Sequence, residues 1–300
     1  MIKTPLSTVI GGAFWTPEAT VINGAKLSFE IVMKKLFANN EQGFAYDPND
    51  LSSMFQDAAG TAPATGVGQT VGLVLDKSKG LALGAELFNK TIDFSTWTKT
   101  AAVTSAVGNT FTVNAFGGCF LNPFFAGYSP LKTYLVRVVG SCTVATEVTR
   151  SSGNLAPVSI AAGDFDITIR SSQTFKDGTI YFRATAAGSV TVTSISAKEL
   201  AGNHAYQSTS AARPILQDAP RRIDFDTVDN KLITNLPAQL TGCTVIRSVP
   251  NVGTQILTGQ TIPATYNDNT DHCGLIVINR ALTATETSQI TAIFNKAAGV

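Results

Sequence analysis

The run "DFDITIR" sends Phe165, Ile167 and Ile169 to one side of an extended chain and Asp164, Asp166, Thr168 and Arg170 to the other. Only a strand has that two-residue period, and only a sheet with one dry and one wet face uses it. "SVTVTSIS" repeats the pattern through Val190, Val192 and Ile195. Between Glu86 and Leu200, "NTFTVNAF", "TYLVRVVG" and "TIYFRAT" add further short runs separated by Gly, Asn and Ser. Many short strands at this spacing predict an antiparallel sandwich of jelly-roll type. The β pattern resumes after Gly202 in "RRIDFDTVDNKLIT", "GCTVIRSV" and "CGLIVINRAL". The predicted class is therefore all-β in the main, with two antiparallel sandwiches in 300 residues.

Helix signals sit at the two ends. In "TATETSQITAIFNKAAGV", Thr283 and Glu286 form a capping box, Ile290, Ile293, Phe294 and Ala297 an apolar stripe, and Gly299 a C-cap. "AKLSFEIVMKKLF" (25–37) reads as a packing helix, and "DLSSMFQD" as a single helical turn. Residues 1–24 carry Ile10, Phe14 and Trp15 among Pro and Gly, too little to build a core of their own. They need a partner surface.

Charged residues make up 14 % of the chain and the net charge is +1, against about 25 % charged in ordinary domains. No basic block exists to attract nucleic acid or an anionic membrane. The apolar runs fall short of the roughly 18–20 residues a membrane span needs, and no signal-peptide pattern opens the chain. A surface polar through Thr and Ser, without an export signal, fits a protein made in the cytoplasm and released by lysis. The cysteines Cys119, Cys142, Cys243 and Cys273 lack CxxC spacing. They allow two disulfides in three pairings, and four buried thiols is the plainer reading. Only His272–Cys273 is a neighbouring Cys/His pair, with no second pair at zinc-ligand spacing.

The blocks "YDPNDLSSMFQDAAGTAPATGVGQTVGLVLDKS" (46–78), "GNHAYQSTSAARPIL" (202–216), "IDFDTVDNKL" (223–232) and "NRALTATETSQI" (279–290) resemble successive segments of a family of phage tail-fibre and structural proteins. That resemblance implies a concanavalin A-like, laminin-G-like sandwich. In many relatives the first block runs almost directly into the second; here residues 79–201 intervene. The interval from "ELFNKTIDFSTWTK" to "SVTVTSISAKEL" resembles a carbohydrate-binding-module-type jelly roll. The implied division is 1–42 as a docking and oligomerisation segment, 43–82 plus 201–300 as a split sandwich, and 83–200 as its inserted guest. Insertion at a loop tip is cheap when the guest's termini lie close together. The resemblance further implies a non-enzymatic virion component, tail fibre or other external appendage. It implies a homo-oligomer, a trimer by likeness, contacting other virion proteins, with a host-surface glycan as a further candidate partner. The alternatives are a glycan-binding receptor-recognition module and a head-decoration or collar protein.

Candidate chemistry is sparse. His204 and Tyr206 lack a nearby nucleophile, and no Gly-x-Ser-x-Gly elbow occurs. Asp224, Asp226 and Asp229 are the densest acidic group, able to take calcium or to pair with Arg221 and Arg222. "YNDNTDH" (266–272) is oxygen-rich without EF-hand spacing and reads as a polar turn. For glycan stacking, Trp97, Tyr128 and Tyr206 are the leading aromatics, with Trp97 also suited to the core. The loop "FGGCFLNPFFAGYSP" (116–130) reads as a contact surface, so Phe120, Phe124 and Phe125 join Phe14, Trp15 and Phe29 as assembly candidates.

Overall fold

A computed structural model describes residues 28–149, 157–170, 175 and 178–300, together with the backbone of 8–10 and 13–15. It is mainly β, with antiparallel sheets and a C-terminal helix.

Residues 83–200 form two facing sheets. One runs in the order Val158–Ile160, Thr146–Thr149, Ile180–Ala184, Gly117–Leu121 and Thr98–Lys99. The other runs Gly163–Arg170, Thr133–Cys142, Gly188–Leu200, Thr110–Val113 and Val103–Val107, with Leu83–Glu86 also pairing with Gly188–Leu200. Phe94, Phe111, Phe124, Val136, Ile169 and Phe182 fill the space between them. In Gly163–Arg170 the alternation is realised, with Phe165 and Ile169 buried and Asp164 and Asp166 exposed. In Gly188–Leu200 the buried set is Val190, Val192, Ile195, Ala197 and Leu200, which breaks phase after Val192. A bulge opposite Val139 and Gly140 leaves Thr193 outside the ladder, and the extra residue shifts the later side chains by one.

The second body interleaves chain from both sides of that unit. Its five-stranded sheet is Thr265–Asp268, Leu232–Asn235, Ala205–Tyr206, Leu73–Val74 and Met54–Phe55. Its four-stranded sheet is Gly253–Ile262, Leu240–Val249, Gly274–Ile278 and Gly43–Tyr46. Ala205 therefore sits between Val74 and Thr234, and Leu275 faces Tyr46. Phe44, Tyr46, Leu275 and Val277 point into the core between the sheets. Ala45, Ile246, Ile276 and Ile278 point the other way, under the helices α1 (Phe29–Leu36) and α2 (Ala284–Ala298). A strand buried on both faces reads as a continuous apolar run, which is why "GLIVI" does not alternate.

The C-terminal helix has the complete capping box of Thr283 and Glu286, a left-handed Gly299, and buried Ile290, Phe294 and Ala298. The N-terminal helix is shorter than its pattern, with Ser28 capping the N–H of Ile31. Residues 25–27 lie outside the described residues. "DLSSMFQD" gives one 3-10 turn at Leu51–Ser53 and then a strand at Met54–Phe55, because these side chains are drawn into the sheet core.

Candidate functional site

The strongest concentration of buried polar groups lies where the chain leaves the second body and returns to it. Asp76 ends the short run after Leu73–Val74 and is fully buried. Its Oδ1 accepts the N–H groups of Ala45 and Ser78, both at 2.8 Å. Its Oδ2 accepts the N–H of Asn203 at 2.7 Å and the hydroxyl of Ser78 at 2.8 Å. The N–H of Asp76 itself donates to Nδ1 of His204 at 2.8 Å. That fixes the tautomer: the ring proton sits on Nε2, which faces the carbonyl of Leu200 at 3.3 Å. Tyr46 donates its hydroxyl to the carbonyl of Asn203 at 2.6 Å and meets the Thr234 hydroxyl at 2.7 Å. The Asn203 amide donates to the carbonyl of Gly43 at 2.7 Å.

Electrostatics follow from burial. Desolvation pushes the Asp76 carboxyl up to about 6, against the three N–H groups and the hydroxyl that favour its charged form. Desolvation pulls His204 down to about 4, so the imidazole is neutral at pH 7. It also raises the Tyr46 phenol well above its ordinary value. Gly202, at φ +130°, holds a backbone conformation that side chains rarely adopt, and a Cβ there would press on Asp76 at 3.0 Å and His204 at 3.1 Å. Both Asp76 carboxylate oxygens and Nδ1 of His204 are committed to backbone donors. The network is a latch, and His204 offers no atom to a substrate.

Tyr206, beside it, is half-buried, takes a hydrogen bond from the Asn235 amide at 3.0 Å, and packs with Phe55, Leu73 and Leu200. The aromatics proposed for glycan stacking or assembly are mostly consumed by packing. Trp97 is 3 % exposed, edge-on to Phe94 at 4.8 Å and tilted against Phe182, so neither ring face is available to a sugar. Tyr128 stacks on Tyr134 at 5.4 Å. Phe124 and Phe125 are 0 % and 2 % exposed, which corrects the reading of their loop as a contact surface. Glycine and proline around them let the loop fold inward, and the rings close the end of the core. Phe120 is half-buried against Tyr181. The exposed ring in this segment is Phe116, at 57 %, covered on one side by the Arg183 guanidinium that pairs with Glu147.

Phe29 stacks on Phe294 of α2 at 6.1 Å, and Val32, Met33 and Leu36 are buried beneath it in the same chain. The helix expected to dock on other copies thus docks on its own sheet. Phe14 lies in the strand Ala13–Trp15, paired with Thr8–Ile10, and the side chains of Phe14 and Trp15 lie outside the described residues.

The calcium candidates do not converge. Asp224 pairs with Arg222 at 2.8 Å. Asp226 Oδ1 accepts the N–H groups of Val228, Asp229 and Asn230, closing its own turn, and those donors lower its pKa. Asp229 is exposed. Among the described residues no group of three His, Cys, Asp or Glu side chains is placed to hold a metal ion. All four cysteines are buried free thiols.

Sequence reasoning missed two features. "YNDNTDH" reaches inward: Asp268 accepts from Arg247 at 3.0 Å and lies 2.8 Å from Nε2 of the fully buried His272, while Asp271 accepts the N–H of Phe225 at 2.8 Å. The other feature is a shallow trough of about 530 Å3 on the longer-stranded sheet of 83–200, lined by Ser141, Asp164, Asp166 and Thr193 together with Val139, Gly140 and Phe165. Arg137 grips Asp166 through two hydrogen bonds at its rim. The alternation placed Asp164 and Asp166 outward, but only the register aligns them with Ser141 and Val139.

No protein-family model matches the chain, and no curated protein matches it.

Proposed function

We propose that this chain is a non-enzymatic structural protein of a bacteriophage virion, a tail fibre or another external appendage that displays its β-bodies outward. The observation that carries this reading is the latch. Asp76 belongs to one of the resembling blocks, Asn203 and His204 to the next, and Asp76 bonds to both of them across the intervening unit. That the two resembling blocks meet in one hydrogen-bonded contact supports reading them as parts of one sandwich, as the resemblance implies. The commitment of Asp76, His204 and Asp268 to internal hydrogen bonds supports a display role rather than a catalytic one. Assembly through the N-terminus and a trimeric state belong to the same proposal.

Gold-labelled antibody against the purified chain, applied to banded particles of the phage that encodes it, tests the reading. Label on a fibre or appendage supports it. Label on the capsid surface points to head decoration, and particles free of the chain overturn the reading.

A glycan-binding role is a second reading, favoured by the trough. Its lining sets the carboxylates of Asp164 and Asp166 and the hydroxyls of Ser141 and Thr193 around Val139, Gly140 and Phe165, with Arg137 on Asp166, a set able to take a polyhydroxylated chain. Retention of host-surface polysaccharide that Asp164→Ala with Asp166→Ala abolishes supports it. Retention unchanged in that double variant removes it.

A further inference from the structure

Two bodies in one chain move relative to each other by default, unless the contact between them is extensive. The connections here run side by side: the segment leaving at Asp76 and the one returning at Asn203 bond to one another. A hinge through that one place would leave residues 83–200 free to rock. The structure opposes such rocking at points outside the connections. Leu200, the last residue of Gly188–Leu200, is buried among Phe55, Leu73 and Leu75 of the second body. Ala59, which belongs to the second body, is buried in the core of the 83–200 unit. Arg170, at the end of Gly163–Arg170, reaches the loop that carries Ala59.

Arg170 is held at both its backbone and its side chain. Its N–H donates to the carbonyl of Ala59 at 2.7 Å, and Nη1 donates to the carbonyl of Gly60 at 3.0 Å. The guanidinium lies 5.0 Å from the ring centre of Phe55. The receiving loop is shaped by its own carboxylate, since Asp57 accepts the N–H groups of Ala59 at 2.8 Å and Ala62 at 2.6 Å. Gly60 turns there at φ +68°, where a Cβ would lie 2.7 Å from Leu73 and 2.8 Å from Cβ of Arg170. The loop therefore closes on Arg170 with no side chain between them.

We propose that Arg170 and the loop 57–62 form a clasp that locks the inserted unit onto the second body, so that the chain moves as one rigid body. Position gives the clasp its leverage. Leu135 pairs with Arg170 on one side and with Lys198 on the other. Arg170 is thus two strand spacings, about 10 Å, from the strand that runs into the returning connection. A contact at that distance from the hinge resists rocking that the latch, lying in the connections themselves, does not. The clasp concerns only how the two bodies are coupled and does not depend on the virion reading.

Backbone-amide spin relaxation of the full chain tests the clasp through the tumbling time of each body. The expected wild type gives one tumbling time for residues 83–200 and for the second body. Arg170→Ala removes the guanidinium contacts, and Gly60→Val forces the loop off Arg170 and Leu73. Each should split the single tumbling time into two, both shorter, with the circular dichroism of the folded chain unchanged. A merely structural loss of stability lowers the unfolding midpoint and leaves the folded chain tumbling as one. Should one variant fail to fold, the other carries the test. A wild type whose two bodies tumble independently overturns the proposal, and so does a single tumbling time kept by every folded variant.

Discussion

The N–H of Asp76 donates to Nδ1 of His204 across 2.8 Å, joining residues 128 positions apart. Strands before residue 75 and after residue 204 share two sheets, so this bond closes the point where the intervening unit departs and returns. A polar latch suits that place. Two chain segments cross there, both with backbone groups that no ladder satisfies, and one carboxylate collects three of them.

The latch makes a pH prediction whose sign depends on which partner remains. His204 is pulled from 6.5 to about 4 on folding. Its contribution is therefore present above the unfolded value and is lost as pH falls from about 6.5 towards 4. Asp76 is pushed from 3.8 to about 6. Its contribution is present at low pH and is lost as pH rises through about 6. The two slopes oppose each other in one window, so the pair contributes little net pH dependence in the wild type. His204→Asn keeps an acceptor for the Asp76 N–H but cannot titrate. In that variant stability should fall between pH 4 and 6, by on the order of 2 kcal/mol. Urea midpoints at three pH values measure it, and a variant that tracks the wild type contradicts the assignment.

The aromatic loop separates packing from contact. Phe124→Ala and Phe125→Ala empty a core enclosed by Phe88, Tyr134 and Phe175 and should each cost about 3–5 kcal/mol. Phe116→Ala, on the surface, should cost no more than about 1 kcal/mol. Denaturant unfolding of the three variants decides it. Equal effects would mean that the loop does not fold inward.

Thiol chemistry gives a third test. Burial pushes Cys119 up to about 12 and raises Cys243 and Cys273. All four thiols are enclosed and reduced. Iodoacetamide should leave the native chain unmodified and label four sites in urea, as read by intact mass. A reductant should not move the unfolding midpoint. A midpoint lowered by reductant would reveal a disulfide.

What the sequence made legible was whatever depends on near neighbours. Thr283, Glu286 and Gly299 specify a helix end within a few residues of each other, and the structure has that end as written. Phe165 and Ile169 needed only alternation. The failures share a different cause. Phe124 and Phe125 look like surface in a Gly- and Pro-rich loop, and only the open end of a distant core turns them inward. Asp226 looks like a metal ligand because carboxylates attract cations, yet its own turn supplies three N–H donors. His204 reads as a reactive group or a loop residue, and its partner at Asp76 is invisible until the sheets assemble. Contacts between distant segments leave no periodicity to read.

The helix α1 supplies the last prediction. Its apolar face was expected to meet other copies, and it meets Ala45, Ile246, Ile276 and Ile278 of its own sheet instead. Leu36 is fully buried there, and the neighbouring Phe29 stacks on Phe294. Leu36→Ala should therefore lower the stability of the single chain by about 2–5 kcal/mol, the cost of removed contacts plus the cavity left behind. Because the contact is internal, the loss should be the same at every protein concentration. An interface between copies behaves differently, since association stabilises by mass action and the effect of a lost contact then changes with dilution. Thermal melts of wild type and variant over a hundredfold range of concentration distinguish the two. A difference that shrinks on dilution would return this helix to the assembly surface.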